Sequence, residues 1–173
     1  KDYNSERETL ALRHRPETGT ALKNGKEGER IVALNGNVCS VIEGYIEHNR
    51  PDSRDDSGRK PLFTSRYGRL SRTNVRETVY KVTRPCYYGV ECPRGRDPDT
   101  CEGTDYDSYS KCPVNVSPHD IRRGSITHHL SEDVPEKVVS DRMNVGPDVL
   151  DKHYDKRTEE QKTEARRGYI EGV

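Results

Sequence analysis

The sequence predicts a mainly α-helical fold with a small antiparallel β-hairpin or three-stranded sheet at one edge. Three observations carry that expectation. Between 35 and 49, Val38, Val41, Ile42, Tyr45 and Ile46 recur at helical spacing and form one apolar stripe. From 117 to 154, short helical pieces are punctuated by Pro118, Pro135 and Gly146-Pro147. Near the start, the strand-like runs 8–13 and 30–34 flank Asn24-Gly25, a strong hairpin-type signal.

Taken in order, residues 5–34 form the β-hairpin region and 35–84 a helical region. In the latter, Asn35 or Asn37 caps the first helix and Pro51 stops it. Cys39 sits next to the stripe as a small packed or half-exposed side chain. A polar loop at 52–60 leads to a short buried segment at 61–64 and a turn at 66–70. Ser71 then caps a helix running to about Thr83, with Val75, Val79 and Val82 inward. Residues 85–113 hold Cys86, Cys92, Cys101 and Cys112 among prolines and glycines, with almost no aliphatic side chains. Burial cannot hold such a segment, so it is either disordered or clipped by something. The helical pieces of 117–154 follow, and 158–173 is a tail with a charged helix at 158–167 that has almost no apolar face and needs a partner.

Bulk composition bounds the function. With 173 residues the chain is one domain's worth. Hydrophobic residues make up 29% and charged residues 35%, so the core is small and the surface polar. Thirty basic and thirty acidic residues cancel, so any attraction to nucleic acid must come from local patches. No apolar run is long enough to span a bilayer and no secretory leader pattern opens the chain, which makes cytoplasmic residence and no membrane partner the expectation. The chain opens at Lys1 without an initiator methionine and reads as a piece of a longer or processed product. Five cysteines are an odd count, better suited to reduced thiols or a metal site than to a disulfide framework.

Three groups of residues carry chemistry. With Pro118 in the first turn of a helix, His119 and Arg122 project from one face, and Tyr154 closes the stretch. A positioned histidine, an arginine fork and a late tyrosine suit a site that holds and attacks a phosphate. Arg66, Arg69, Arg72 and Arg76 crowd the start of the 71–83 helix, an arrangement suited to DNA backbone phosphates rather than to base reading; a solvated helix end is the other reading. Cys86, Cys92, Cys101 and Cys112 match the count for a tetrahedral structural zinc, although no Cys-x-x-Cys pair is present. Free thiols in a mobile insertion are the other reading. His128 and His129 are adjacent, point to different faces and do not form a metal pair.

His-Asp-Ile-Arg at 119–122, the interval to Tyr154 and Asp-Lys-His-Tyr at 151–154 resemble the C-terminal half of a tyrosine recombinase (phage-integrase family) catalytic domain. Arg-His-Arg-Pro-Glu-Thr-Gly-Thr at 13–20, Ser-Pro-His-Asp-Ile-Arg-Arg-Gly at 117–124 and Asp-Arg-Met-Asn-Val at 141–145 are similar to integrases of halophilic archaea and their viruses. The resemblance extends over nearly the whole chain. It implies a DNA breaking-rejoining fold and site-specific recombination through a 3′-phosphotyrosyl intermediate, with integration or excision of DNA as the outcome. Tyr154 is then the nucleophile, Arg122 the phosphate fork, and His119 a hydrogen-bond or proton-transfer partner. Arg123 is the neighbouring contact to DNA. A lysine from the hairpin region reaches the scissile phosphate; Lys23 and Lys26 are candidates, and Lys23 is preferred because it sits just before the turn. Lys23 and Lys26 also read as solvated turn lysines, Tyr154 as a core tyrosine beneath Leu150, and Tyr169 as a rival nucleophile.

The resemblance further implies a double-stranded DNA attachment site as partner, a homo-oligomer on DNA, and no metal in catalysis. Three departures accompany it. The family's first arginine would fall before residues 8–13, where this chain begins, and the family's N-terminal core-binding domain is likewise not represented. Val145 stands where a histidine or tryptophan is usual. The expectation is therefore weak activity or none from these residues alone. Two other functions remain open: a non-catalytic DNA-binding derivative of a degenerate integrase, and a zinc-stabilised interaction module centred on 86–112.

Overall fold

The computed structural model describes residues 2–154 and 158–170. Among them the fold is mainly helical with a small antiparallel sheet, as the sequence patterns predict. The chain divides into two compact units, Lys1–Arg76 and Glu77–Val173.

In the first unit, Thr-Leu-Ala-Leu and Arg-Ile-Val-Ala form strands β2 (Thr9–Leu12) and β3 (Arg30–Ala33), paired antiparallel in the register Leu10↔Val32. A two-residue strand β1 (Tyr3–Asn4) adds to β2, giving the order β1-β2-β3. Asn24-Gly25 does not close a tight hairpin. Residues 13–29 instead form a long connection with short 3₁₀ turns at Pro16–Thr18 and Gly25–Gly28. Polar bonds hold it. Glu29 accepts from the His14 backbone N–H at 2.8 Å and from Arg13, and the His14 Nδ1 accepts from the Leu22 N–H at 3.0 Å. Arg15 grips Asp2 with two 2.7 Å hydrogen bonds.

Helix α1 (Gly36–Gly44) starts where the Asn35 side chain accepts from the Val38 N–H, and continues as a π-helical turn through Tyr45–Asn49. Its buried face differs from the expected stripe. Cys39 and Ile42 are buried, whereas Val38 and Val41 are 43% and 73% exposed. The segment expected to be buried at 61–64 is also only partly so: Phe63 is exposed and Thr64 is the buried residue. Thr64 opens a two-stranded ribbon, β4 (Thr64–Ser65) with β5 (Gly68–Arg69). Its hydroxyl donates to the Gly68 carbonyl at 2.6 Å and lies 2.8 Å from the Ser53 hydroxyl. The division between units falls within helix α2 (Arg72–Val82), which Ser71 caps by accepting from the Asn74 N–H. Val75 is exposed rather than inward.

In the second unit, residues 85–116 contain three 3₁₀ turns, Pro85–Tyr88, Glu102–Thr104 and Tyr109–Lys111. Helices α3 (Pro118–Ser131), α4 (Glu136–Met143) and α5 (Pro147–His153) then pack around Ile126, Leu130, Val139 and Leu150, each at most 2% exposed. The three proline-marked boundaries all fall at helix starts: Pro118 and Pro147 in the first turns of α3 and α5, and Pro135 at the N-cap of α4. Asn144 ends α4 in the left-handed region at φ 49°, a conformation that asparagine tolerates better than most residues. Helix α6 (Glu159–Ile170) finds partners within the unit: the Lys162 Nζ lies 2.7 Å from Asp151, and the Tyr169 hydroxyl donates to the Asp133 carbonyl. Residues 171–173 of the expected tail lie outside the described residues.

Candidate functional site

Helix α3 sets the polar end of the candidate site. Ser117 accepts from the Asp120 N–H while the Asp120 carboxylate accepts from the Ser117 N–H and hydroxyl, a reciprocal cap that fixes the first turn. Hydrogen bonds from the Ser117 side chain, then its backbone N–H, hold the Asp120 carboxyl below the usual carboxylate range. This cap is visible in Ser-Pro-His-Asp as a Ser at the cap and an acid three residues on, and it is a feature the motif reading passed over. His119 sits exposed in that turn. One turn later Arg122 is half-buried and its Nη2 donates to the Met143 carbonyl at 2.6 Å, at the end of α4. One amine nitrogen of the fork is so tethered, and a guanidinium carries five N–H donors in all.

Tyr154 follows α5 as its C-terminal cap, its N–H donating to the Leu150 carbonyl at 2.9 Å. It is half-buried and packs against the Ile126–Leu130–Val139–Leu150 cluster together with Met143 and Val145. Arg122 and Tyr154 are thus organised around the same core, Arg122 through the end of α4 and Tyr154 through the end of α5. Val145, at the position where the resembled family carries a histidine or tryptophan, packs against that core, and its carbonyl accepts from the Ser140 hydroxyl at 2.7 Å.

Arg123 is exposed on α3. Lys23 is exposed on the connection between β2 and β3, in the turn before Gly25, and Lys26 is exposed within the Gly25–Gly28 turn. Both therefore stand outside the strands. Arg66 lies over the Tyr67 ring at 4.7 Å, and Arg72 is the exposed first residue of α2. Arg69 donates to the Gly19 carbonyl at 3.1 Å and the Thr20 hydroxyl at 2.9 Å, so its guanidinium braces the 16–20 turn. Tyr169, the rival nucleophile, is exposed on α6 with its hydroxyl bonded as described.

The cysteine-rich segment forms a second cluster. Cys86, Cys92, Cys101 and Cys112 all line one cavity of about 10 Å³, together with Arg84 and Arg96. Cys112 is buried, the other three are half-buried, and all are free thiols. Cys92 opens the turn Cys-Pro-Arg-Gly-Arg, in which the Gly95 N–H donates to the Cys92 carbonyl at 2.8 Å and Gly95 takes φ 63°. Backbone N–H groups of Arg94 and Arg96 bond the Cys92 sulfur, and with the two arginine charges they hold its thiol below the usual range. Arg84, 5% exposed, ties the segment together: it donates to the Lys81 and Gly103 carbonyls and lies 4.8 Å from the Tyr109 ring centre. Among the described residues, no group of three His, Cys, Asp or Glu side chains is arranged to hold a metal ion as it stands.

No protein-family model, curated protein or solved structure matches the chain. Among the described residues, no helix is long and apolar enough to cross a membrane.

Proposed function

We propose that the chain breaks and rejoins DNA through Tyr154, as part of a site-specific recombinase acting on a duplex attachment site. The observation that supports this most is the common core beneath Arg122 and Tyr154, with His119 one turn from the arginine. In this reading the Tyr154 oxygen attacks a backbone phosphorus, forming an O–P bond as the bond to the 5′ oxygen breaks. The N–H groups of Arg122 not tethered to Met143 bind the non-bridging oxygens, and a guanidinium keeps its charge at any working pH. His119 hydrogen-bonds the phosphate or moves the nucleophile's proton. Lys23 is the candidate to protonate the leaving 5′ oxygen, and attack by that hydroxyl on the phosphotyrosine restores the strand. Arg66, Arg72 and Arg123 serve as backbone contacts, and assembly as a homo-oligomer on DNA belongs to the same reading.

The test is a nicked suicide duplex, whose released end diffuses away and traps the covalent protein–DNA adduct. Candidate attachment sequences are screened for an adduct that survives denaturant. Tyr154→Phe is expected to abolish it and Arg122→Ala to slow it about 10²–10³-fold, the usual cost of losing one charge-stabilising group. An adduct that persists in Tyr154→Phe overturns the assignment. A second reading, DNA binding without cleavage, is favoured by the packing of Tyr154 and Val145 against apolar side chains. Binding with no adduct from any duplex would select it.

A further inference from the structure

We infer that Cys86, Cys92, Cys101 and Cys112 bind one zinc ion, which acts as the structural core of residues 85–116. That all four cysteines of the segment line one cavity is the primary observation. They come from four separate stretches of a segment with little else to hold it, and its only buried apolar side chain is Cys112 itself. The cavity, about 10 Å³, has room for a single small guest. Four thiolates are a soft, closed donor set that suits tetrahedral zinc and leaves no open position for substrate. Such a site carries a net double negative charge, and Arg84 and Arg96 line the same cavity to offset it. The ion completes the geometry by drawing the four sulfurs together, because thiolate sites of this kind form with the metal rather than before it.

Protein produced with zinc in the medium and purified under reducing, chelator-free conditions is expected to carry one zinc per chain by elemental mass spectrometry. Cys92→Ser and Cys101→Ser should lose it, while Cys39→Ser, outside the cluster, should keep it. Because the ligand variants can fail to fold, the unaltered protein provides an independent arm. Adding a strong chelator should release zinc and, in step, expose four further thiols to alkylation. Replacement of zinc by cobalt should give the intense visible bands of a tetrahedral thiolate site. Four thiols that alkylate at the same rate with and without zinc would overturn the inference. So would disulfides among the four in freshly purified protein, or stoichiometric iron in place of zinc.

Discussion

The β-sheet unit and the α3–α5 cluster hold their shapes by opposite means. In residues 2–70 only Cys39 and Ile42 are buried apolar side chains, and order comes from Arg15–Asp2, Arg59–Asp55, Glu29 with His14, and Arg69 on the 16–20 turn. In α3–α5 four aliphatic side chains form a dry centre, and the polar groups sit at helix ends. A dry centre fixes backbone position through many short-range contacts at once. A polar net fixes loops, but each exposed pair contributes little. The candidate nucleophile packs on the dry centre and the candidate phosphate fork is tied to the Met143 carbonyl beside it, whereas the candidate lysine lies on the polar net. In the proposed reaction, the attacking group would thus stand on the more firmly fixed of the two regions.

The sharpest way to break this contrast is Leu150→Ala. Removing a fully buried leucine typically costs about 2–5 kcal/mol, a large share of a small domain's stability. Chemical denaturation should show that loss in the helical signal, while hydrogen-exchange protection of β2 and β3 stays near its original level. Equal loss of protection in the sheet would mean that the two regions unfold as one. The counterpart in the first unit is Thr64→Val. It removes the donor to the Gly68 carbonyl and the partner of Ser53, and should lower stability by about 1–3 kcal/mol, with the ribbon β4–β5 losing amide protection first.

Acid gives the smallest and most selective effect. Hydrogen bonds from Arg15 to Asp2, from the His14 N–H to Glu29 and from the Arg59 N–H to Asp55 hold those carboxyls below their ordinary values of 3.8, 4.5 and 3.8. A carboxyl bound more tightly as its anion contributes stability above its ordinary value and loses it as pH falls through the lowered one. Amide exchange of residues 13–29 should therefore accelerate as pH drops below about 4, before that of Ile126 and Leu130, once the intrinsic pH dependence of exchange is removed. Simultaneous acceleration would show that both regions depend on the same charges.

Punctuation was the most legible part of the sequence, because proline constrains its own residue wherever the chain goes. Pro118, Pro135 and Pro147 each begin a helix as expected. The Asn24-Gly25 signal failed for a physical reason. Local turn propensity was outweighed by bonds that tie residues 14–19 to Asp2, Glu29 and Arg69, and nothing in the dipeptide encodes those partners. The α1 stripe drifted because Cys39, a small side chain, buries well beside Ile42, so the inward face turned away from Val38 and Val41. At the candidate site, spacing placed His119 and Arg122 one turn apart on a single helix, as α3 shows, while their roles and that of Tyr154 rest on the resemblance. The tether from Arg122 to the Met143 carbonyl was not, since a backbone acceptor leaves no mark on residue identity. Likewise, intervals between cysteines said little about whether all four would line one cavity.

Gly103 approaches Cys112 so closely that a β-carbon there would lie 2.8 Å from the Cys112 backbone. Its carbonyl meanwhile receives Arg84. The three positions therefore form a unit of inheritance. In homologous sequences Gly103, Cys112 and Arg84 should be kept together or change together, even where the intervening loop is freely rewritten. Co-variation at these positions would mark chains that share this packing before any of them is assayed.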